Sequence, residues 1–144
     1  MSSELNGSMV FDTSVLVELS VDSPISKAIQ VSISNGQIRA LTGELNLTEL
    51  EYILCRSTGS ERSKRSIELL RRANQIEIVP SSSFLERAAE MKCSRSISLV
   101  DCVTISMGES LELPVLFARR ESELKTELRK KAFKTRLLFM DSRA

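Results

Sequence analysis

The chain contains no histidine. That absence excludes imidazole general-base catalysis, Ser-His triads and His-ligated zinc or iron, so any chemistry must rest on carboxylates, lysines, hydroxyls or a hard metal ion. Cysteine is scarce and odd in number. Cys55, Cys93 and Cys102 are widely spaced in segments of helical character, which suggests neither a disulfide framework nor a CxxC-type zinc site, and they read as buried thiols. Nowhere do the roughly 18 apolar residues of a membrane span run together. The polar start MSSELNGS has no basic cluster followed by an apolar stretch. Together these point to a soluble, cytoplasmic protein with no membrane attachment. Internal repeats and low-complexity linkers are also missing.

What is there suffices for one domain. The 144 residues are 42% hydrophobic, enough to bury a core without staples, so residues 1–144 are expected to form a single unit with residues 1–8 as a flexible N-terminus. Charge is balanced overall, at +1, but segregated along the chain. The first fifty residues hold six acids and two bases, whereas Arg56 to Arg72 holds six bases and two acids, and Arg119 to Arg136 eight bases and three acids. Such segregation fits a polyanion-binding face beside an acidic site, and equally fits solvated helix faces.

Short apolar runs alternate with segments of helical spacing. Strands are expected at Met9 to Phe11, Ile38 to Leu41, Ile76 to Val79, Pro114 to Ala118 and Leu137 to Met140. Helices are expected at Thr13 to Ser20, Pro24 to Ser34, Leu45 to Arg56, Glu61 to Ala73, Phe84 to Cys93, Ser98 to Leu111 and Glu121 to Lys131. Asn35-Gly36 marks a turn, and Pro80 with the serines after it ends the third strand. This alternation predicts an α/β domain with a mainly parallel sheet.

In open α/β sheets function gathers where the carboxyl ends of strands lead into helices, and acids fall there repeatedly. Asp12 follows the first strand, Glu49 enters the helix after the second, Asp101 the helix after residue 98, and Glu121 follows the fourth strand. Each has a bland alternative. Asp12 can cap its helix, and Asn46-Leu47-Thr48-Glu49 and Ser98-Leu99-Val100-Asp101 both have capping-box spacing. Capping does not require an acid at every neighbouring strand end, however.

Three segments in order, Val10-Phe11-Asp12-Thr13-Ser14-Val15-Leu16, Leu47-Thr48-Glu49-Leu50 and Ser98-Leu99-Val100-Asp101, resemble those of PIN-domain nucleases. Length and element order are similar to the small VapC-like members, and the resemblance spans nearly the whole chain. It implies a single three-layer α/β/α domain with a central, mainly parallel sheet, metal-dependent endoribonuclease activity on RNA, an antitoxin protein as partner and a homodimer. At the fourth position the chain departs from the family. A Thr-x-Asp type stretch is usual, but here Ala118-Arg119-Arg120-Glu121-Ser122-Glu123 follows the strand, with Glu121 the candidate acid and Glu123 its substitute.

On that reading Asp12, Glu49, Asp101 and Glu121 form the catalytic set. Asp12, Asp101 and Glu121 are the metal ligands, and Glu49 is a ligand or orients the attacking water. Oxygen-only donors favour Mg²⁺ or Mn²⁺. Ser14 is a candidate supporting group that hydrogen-bonds a carboxylate or a phosphate, and Arg119, Arg120 and Lys125 are candidate phosphate contacts. Tyr52, the only tyrosine, is expected to pack rather than to stack a base. A phosphoacceptor receiver needs an acidic pair after the first strand, and a haloacid-dehalogenase-type phosphatase needs Asp-x-Asp; Asp12-Thr13-Ser14 matches neither. The alternatives that remain are a weakly active or inactive PIN module that binds RNA or protein, and a nuclease directed at DNA.

Overall fold

The computed structural model describes residues 5–141. Among these, five strands and seven α-helices alternate: β1 (Gly7–Phe11), α1 (Thr13–Leu19), α2 (Pro24–Ser34), β2 (Ile38–Gly43), α3 (Glu44–Thr58), α4 (Ser60–Ala73), β3 (Ile76–Val79), α5 (Leu85–Ser94), α6 (Leu99–Leu111), β4 (Val115–Phe117), α7 (Ser122–Lys130) and β5 (Leu137–Phe139). The strands form one sheet in the order β3-β2-β1-β4-β5, and every pairing is parallel.

A parallel sheet covered on both faces needs strands that are apolar throughout, with successive side chains entering opposite layers. β1 does this: Met9 and Phe11 join one buried cluster, and Val10 joins the other. β4 repeats the pattern, with Leu116 on the first face and Val115 and Phe117 on the second. The first cluster also takes Val15, Leu16, Ile29, Leu47, Leu50 and Ile67, so α1 to α4 cover that face. The second takes Ala88, Cys102, Ile105 and Leu124, so α5 to α7 cover the other, and a three-layer α/β/α sandwich results. The chain steps outward from β1 through β2 to β3 with helices on one side, then crosses back to β4 and β5 with helices on the other. The winding therefore reverses between β1 and β4, and at such a switch point the loops leaving the strands part to leave a crevice.

Boundaries moved where tertiary contacts outweigh local pattern. β1 begins at Gly7, paired with Ile38 of β2, so Gly7 and Ser8 belong to the sheet rather than to a flexible arm, while residues 1–4 lie outside the described residues. β2 runs two residues further, to Gly43, because β3 pairs with it along that length. A 3-10 turn, Ser82–Phe84, precedes α5 and buries Phe84, which delays the helix by a residue. Cys55 and Cys93 are exposed and only Cys102 is buried, since the first two fall on the outer faces of α3 and α5. Among the described residues no helix is long and apolar enough to cross a membrane.

Candidate functional site

Asp12 follows β1 at the switch point, where its N–H donates to the Leu116 carbonyl of β4 at 2.9 Å. It both caps a helix and faces a cleft. Its Oδ2 accepts from Ser14 N–H at 2.9 Å, closing the first turn of α1, whereas Oδ1 is buried with no hydrogen-bond partner among the described residues. A buried, unpartnered carboxylate oxygen is costly and calls for an explanation beyond capping. Ser14 ties this corner to the next strand, for its hydroxyl accepts from Ala118 N–H at 2.9 Å. The position where the family's threonine is usual therefore contributes its backbone here.

A cleft of about 370 Å³ opens at this corner, lined by Asp12, Ser14, Glu49, Asp101, Glu121 and Glu123 among others. All four acids expected from the sequence reach it. Burial, opposed in part by the Ser14 hydrogen bonds and reinforced by Glu49, pushes Asp12 up to about 6. Asp101, in the first turn of α6, is pushed up to about 7 by burial and then by repulsion from Asp12, Glu121 and Glu49. Near neutral pH the raised Asp12 and Asp101 carboxyls favour either a proton or a cation.

The capping readings resolve individually. Ser98 is the N-cap of α6 and accepts from Asp101 N–H at 3.0 Å, which leaves the Asp101 carboxylate at the cleft. The box expected at Asn46 to Glu49 does not form, because α3 starts earlier, at Glu44. Glu49 thus lies in the second turn. Asn46 is buried, its Oδ1 accepting from Gly43 N–H and its amide donating to the hydroxyls of Thr13 and Thr104, each at 3.0 Å. It thereby joins the β2–α3 corner to α1 and α6, the helices that follow Asp12 and carry Asp101. A capping role for Asn46 is legible from its spacing, here as the third residue of α3 rather than its N-cap; nothing in one sequence marks hydroxyls so distant in the chain as its partners. Glu121 is the N-cap residue of α7, but its side chain makes no capping bond.

The three candidate phosphate contacts separate. Arg119 lines the cleft, 3.7 Å from Glu18, in an exposed pair of little energetic weight. Arg120 turns away, its guanidinium 4.4 Å above the Phe139 ring of β5, which offers it an aromatic face. Lys125 lies exposed on α7, outside the cleft lining. Glu18, Val17 and Ile53 also line the cleft and were not singled out from the sequence. Ile53 stands four residues after Glu49 on α3, so helical spacing from that acid is the signal that would have found it.

Among the described residues no three acids converge closely enough to form a ready-made metal cluster. The donor set nonetheless fits a hard divalent ion, since it is all oxygen, mutually repelling and includes an unpartnered Asp12 Oδ1.

A sequence profile of the PIN domain matches residues 9–122. The chain belongs to the PIN domain family. Solved structures similar to this PIN domain include VapBC2 from Rickettsia felis bound to a promoter DNA fragment, at TM-score 0.68 and 13% identity, covering 94% of this chain and 100% of that one. The VapC20 toxin of Mycobacterium tuberculosis, which cleaves the sarcin-ricin loop, aligns at TM-score 0.60 and 18% identity over 74% of this chain and 86% of that one. A toxin-antitoxin complex from Klebsiella pneumoniae aligns at TM-score 0.57 and 13% identity over 78% and 88%. At such identities the likeness shows the fold. Comparison with curated proteins finds no match.

Proposed function

We propose that this PIN domain is a divalent-metal-dependent endoribonuclease that hydrolyses RNA phosphodiester bonds, and that it is the toxin of a toxin-antitoxin pair. The observation that carries the proposal is the buried, unpartnered Asp12 Oδ1 in a cleft shared with Glu49, Asp101 and Glu121. Asp12, Asp101 and Glu121 hold Mg²⁺ or Mn²⁺. Because Mg²⁺ retains several waters and takes only one or two carboxylates directly, acids that do not form a closed cage suffice. When bound, the ion supplies Lewis-acid charge to the phosphoryl oxygens and acidifies water, a role that needs no histidine.

The chain's own groups do the rest. Glu49 orients the attacking water and accepts its proton; Ser14 fixes the Asp12 carboxylate against β4; Arg119 receives a backbone phosphate; Glu123 stands beside Glu121 as its substitute. The toxin assignment draws on the family and on neighbours of that kind. A homodimer through the early helices is part of the same reading and draws on Val21, Ile25 and Val31, large apolar residues left exposed around α2.

The test is cleavage of labelled single-stranded RNA and DNA by purified protein with Mg²⁺ or Mn²⁺. Cleavage of RNA that Asp12→Asn abolishes is expected, and equal cleavage by wild type and an Asp12→Asn/Asp101→Asn double variant would sink the assignment. A crystal soaked in Mn²⁺ identifies the ligands by anomalous signal, and growth arrest relieved by the neighbouring reading frame tests the toxin role. The adaptor alternative draws on the altered fourth position, Ala118 and Glu121 in place of Thr-x-Asp; it predicts RNA binding without cleavage at any metal concentration.

A further inference from the structure

Tyr52 does not pack in the core. It is 45% exposed on α3, and the Arg56 guanidinium lies 5.1 Å from its ring centroid. Glu49, Tyr52, Ile53 and Arg56 are spaced three and four apart, so they form one continuous stripe along the helix. Two of them, Glu49 and Ile53, line the acidic cleft, so the stripe leads directly out of it.

The helix hairpin that bears the stripe carries an excess of bases. The Glu44–Arg71 ion pair, at 2.9 Å, joins the start of α3 to the end of α4, so the two helices form an antiparallel hairpin turned at Gly59. Asn46, Leu47 and Leu50, in the first half of α3, are buried, and in the second half Leu54 packs against the same cluster while Tyr52 and Arg56 stay exposed. The exposed surface of the hairpin carries Arg56, Arg62, Lys64 and Arg65, none in an ion pair among the described residues; Arg56 lies beside Tyr52, whereas Lys64 and Arg65 border a hollow they share with Glu51, Glu61 and Glu68. An exposed aromatic with a cation outside any ion pair beside it, on a stripe that leads out of an acidic cleft, matches single-stranded nucleic acid, whose bases stack on aromatic faces and whose phosphates seek cations.

We infer that the α3 stripe continues the substrate path, with Tyr52 stacking an unpaired RNA base beside the scissile position and Arg56 contacting a neighbouring phosphate. The inference rests on the nuclease reading for its substrate and adds a binding surface outside the acid cluster.

Binding is measured by fluorescence anisotropy of fluorescein-labelled oligoadenylate, in the Asp12→Asn background so that no cleavage intervenes. Tyr52→Ala is expected to raise Kd about 5- to 100-fold, and Tyr52→Phe to stay within about twofold of the parent, as stacking on one base dictates. Arg56→Ala is expected to reduce the slope of log Kd against log salt by about 0.7, the single-strand value for one phosphate contact. Duplex RNA, its bases already stacked, is expected to show no dependence on Tyr52. Circular dichroism checks that each variant folds, and the exposure of both side chains makes this the expected result. An unchanged Kd for Tyr52→Ala on the single strand would overturn the inference, as would equal losses on duplex and single strand. If wild type cleaves RNA while Tyr52→Ala binds it normally, the stripe fails and the nuclease reading stands. If Tyr52-dependent binding is found without any cleavage, the stripe stands and the nuclease reading fails.

Discussion

Removing the negative charge of Asp12 should stabilise the metal-free protein while abolishing its cleavage, and the gain should depend on pH. A carboxyl whose folded pKa is raised binds its proton more tightly in the native state. Stability from that proton is complete below the unfolded pKa of 3.8 and is lost as pH rises through about 6 for Asp12. Converted at about 1.4 kcal/mol for each tenfold change, ionising Asp12 in place costs the native state roughly 3 kcal/mol at pH 8. Asp12→Asn escapes that cost. Asparagine caps helices about as well as aspartate, so the bond from Ser14 N–H is retained, and its amide would stand where repulsion from Glu49 now acts. In EDTA at pH 8 the variant should gain about 2–3 kcal/mol, or roughly 5–10 °C in Tm; at pH 4.5, still above the unfolded pKa of 3.8, the gain should fall to about 1 kcal/mol. Thermal unfolding followed by circular dichroism measures both. Mg²⁺ should raise the Tm of wild type and leave the variant nearly unmoved. A variant that is no more stable than wild type at pH 8, or whose gain is the same at both pH values, would refute the claim that Asp12 is held at an electrostatic cost.

Other consequences concern the frame around the cleft. Asn46→Ala removes bonds to Gly43, Thr13 and Thr104 and leaves buried polar groups unpaired; urea denaturation should report a loss of about 3 kcal/mol. Gly108→Ala places a methyl group on the Val115 side chain and 2.9 Å from the Leu113 carbonyl, where α6 presses on β4; overpacking should outweigh the better helix propensity by about 1–2 kcal/mol in the same assay. In native protein at pH 8 a thiol reagent should label Cys55 and Cys93 promptly, and Cys102, buried and pushed up to about 11, only on unfolding. Prompt labelling of all three would contradict the packing of α6.

The architecture was legible because its cause is local. Runs such as Met9 to Phe11 and Val115 to Phe117 are apolar without interruption, as doubly covered strands must be, and helical spacing between the strand runs leaves a parallel sheet as the arrangement that buries every face. Tyr52 departs from expectation because helical position alone does not tell whether a neighbour arrives to cover a side chain; only Arg56 lies over its ring, and the side chain stays exposed. Arg120 shows the opposite case, its guanidinium lying over Phe139 of β5, a ring distant in the chain that local spacing does not reveal.

The sequence by itself determined the order of elements, the strand runs that must be buried on both faces, and the placement of acids at strand ends, all of which follow from patterns a few residues long. Only the tertiary structure decided that Asp12, Glu49, Asp101 and Glu121 line one cleft, that Asp12 caps with one oxygen and leaves the other unpartnered, and that Asn46, at the third position of α3, bonds back to Gly43 and also braces the corner against Thr13 and Thr104. Those outcomes depend on the strand order, which brings β4 beside β1 and sets segments far apart in the chain against each other; charge repulsion and burial exist only once that proximity does.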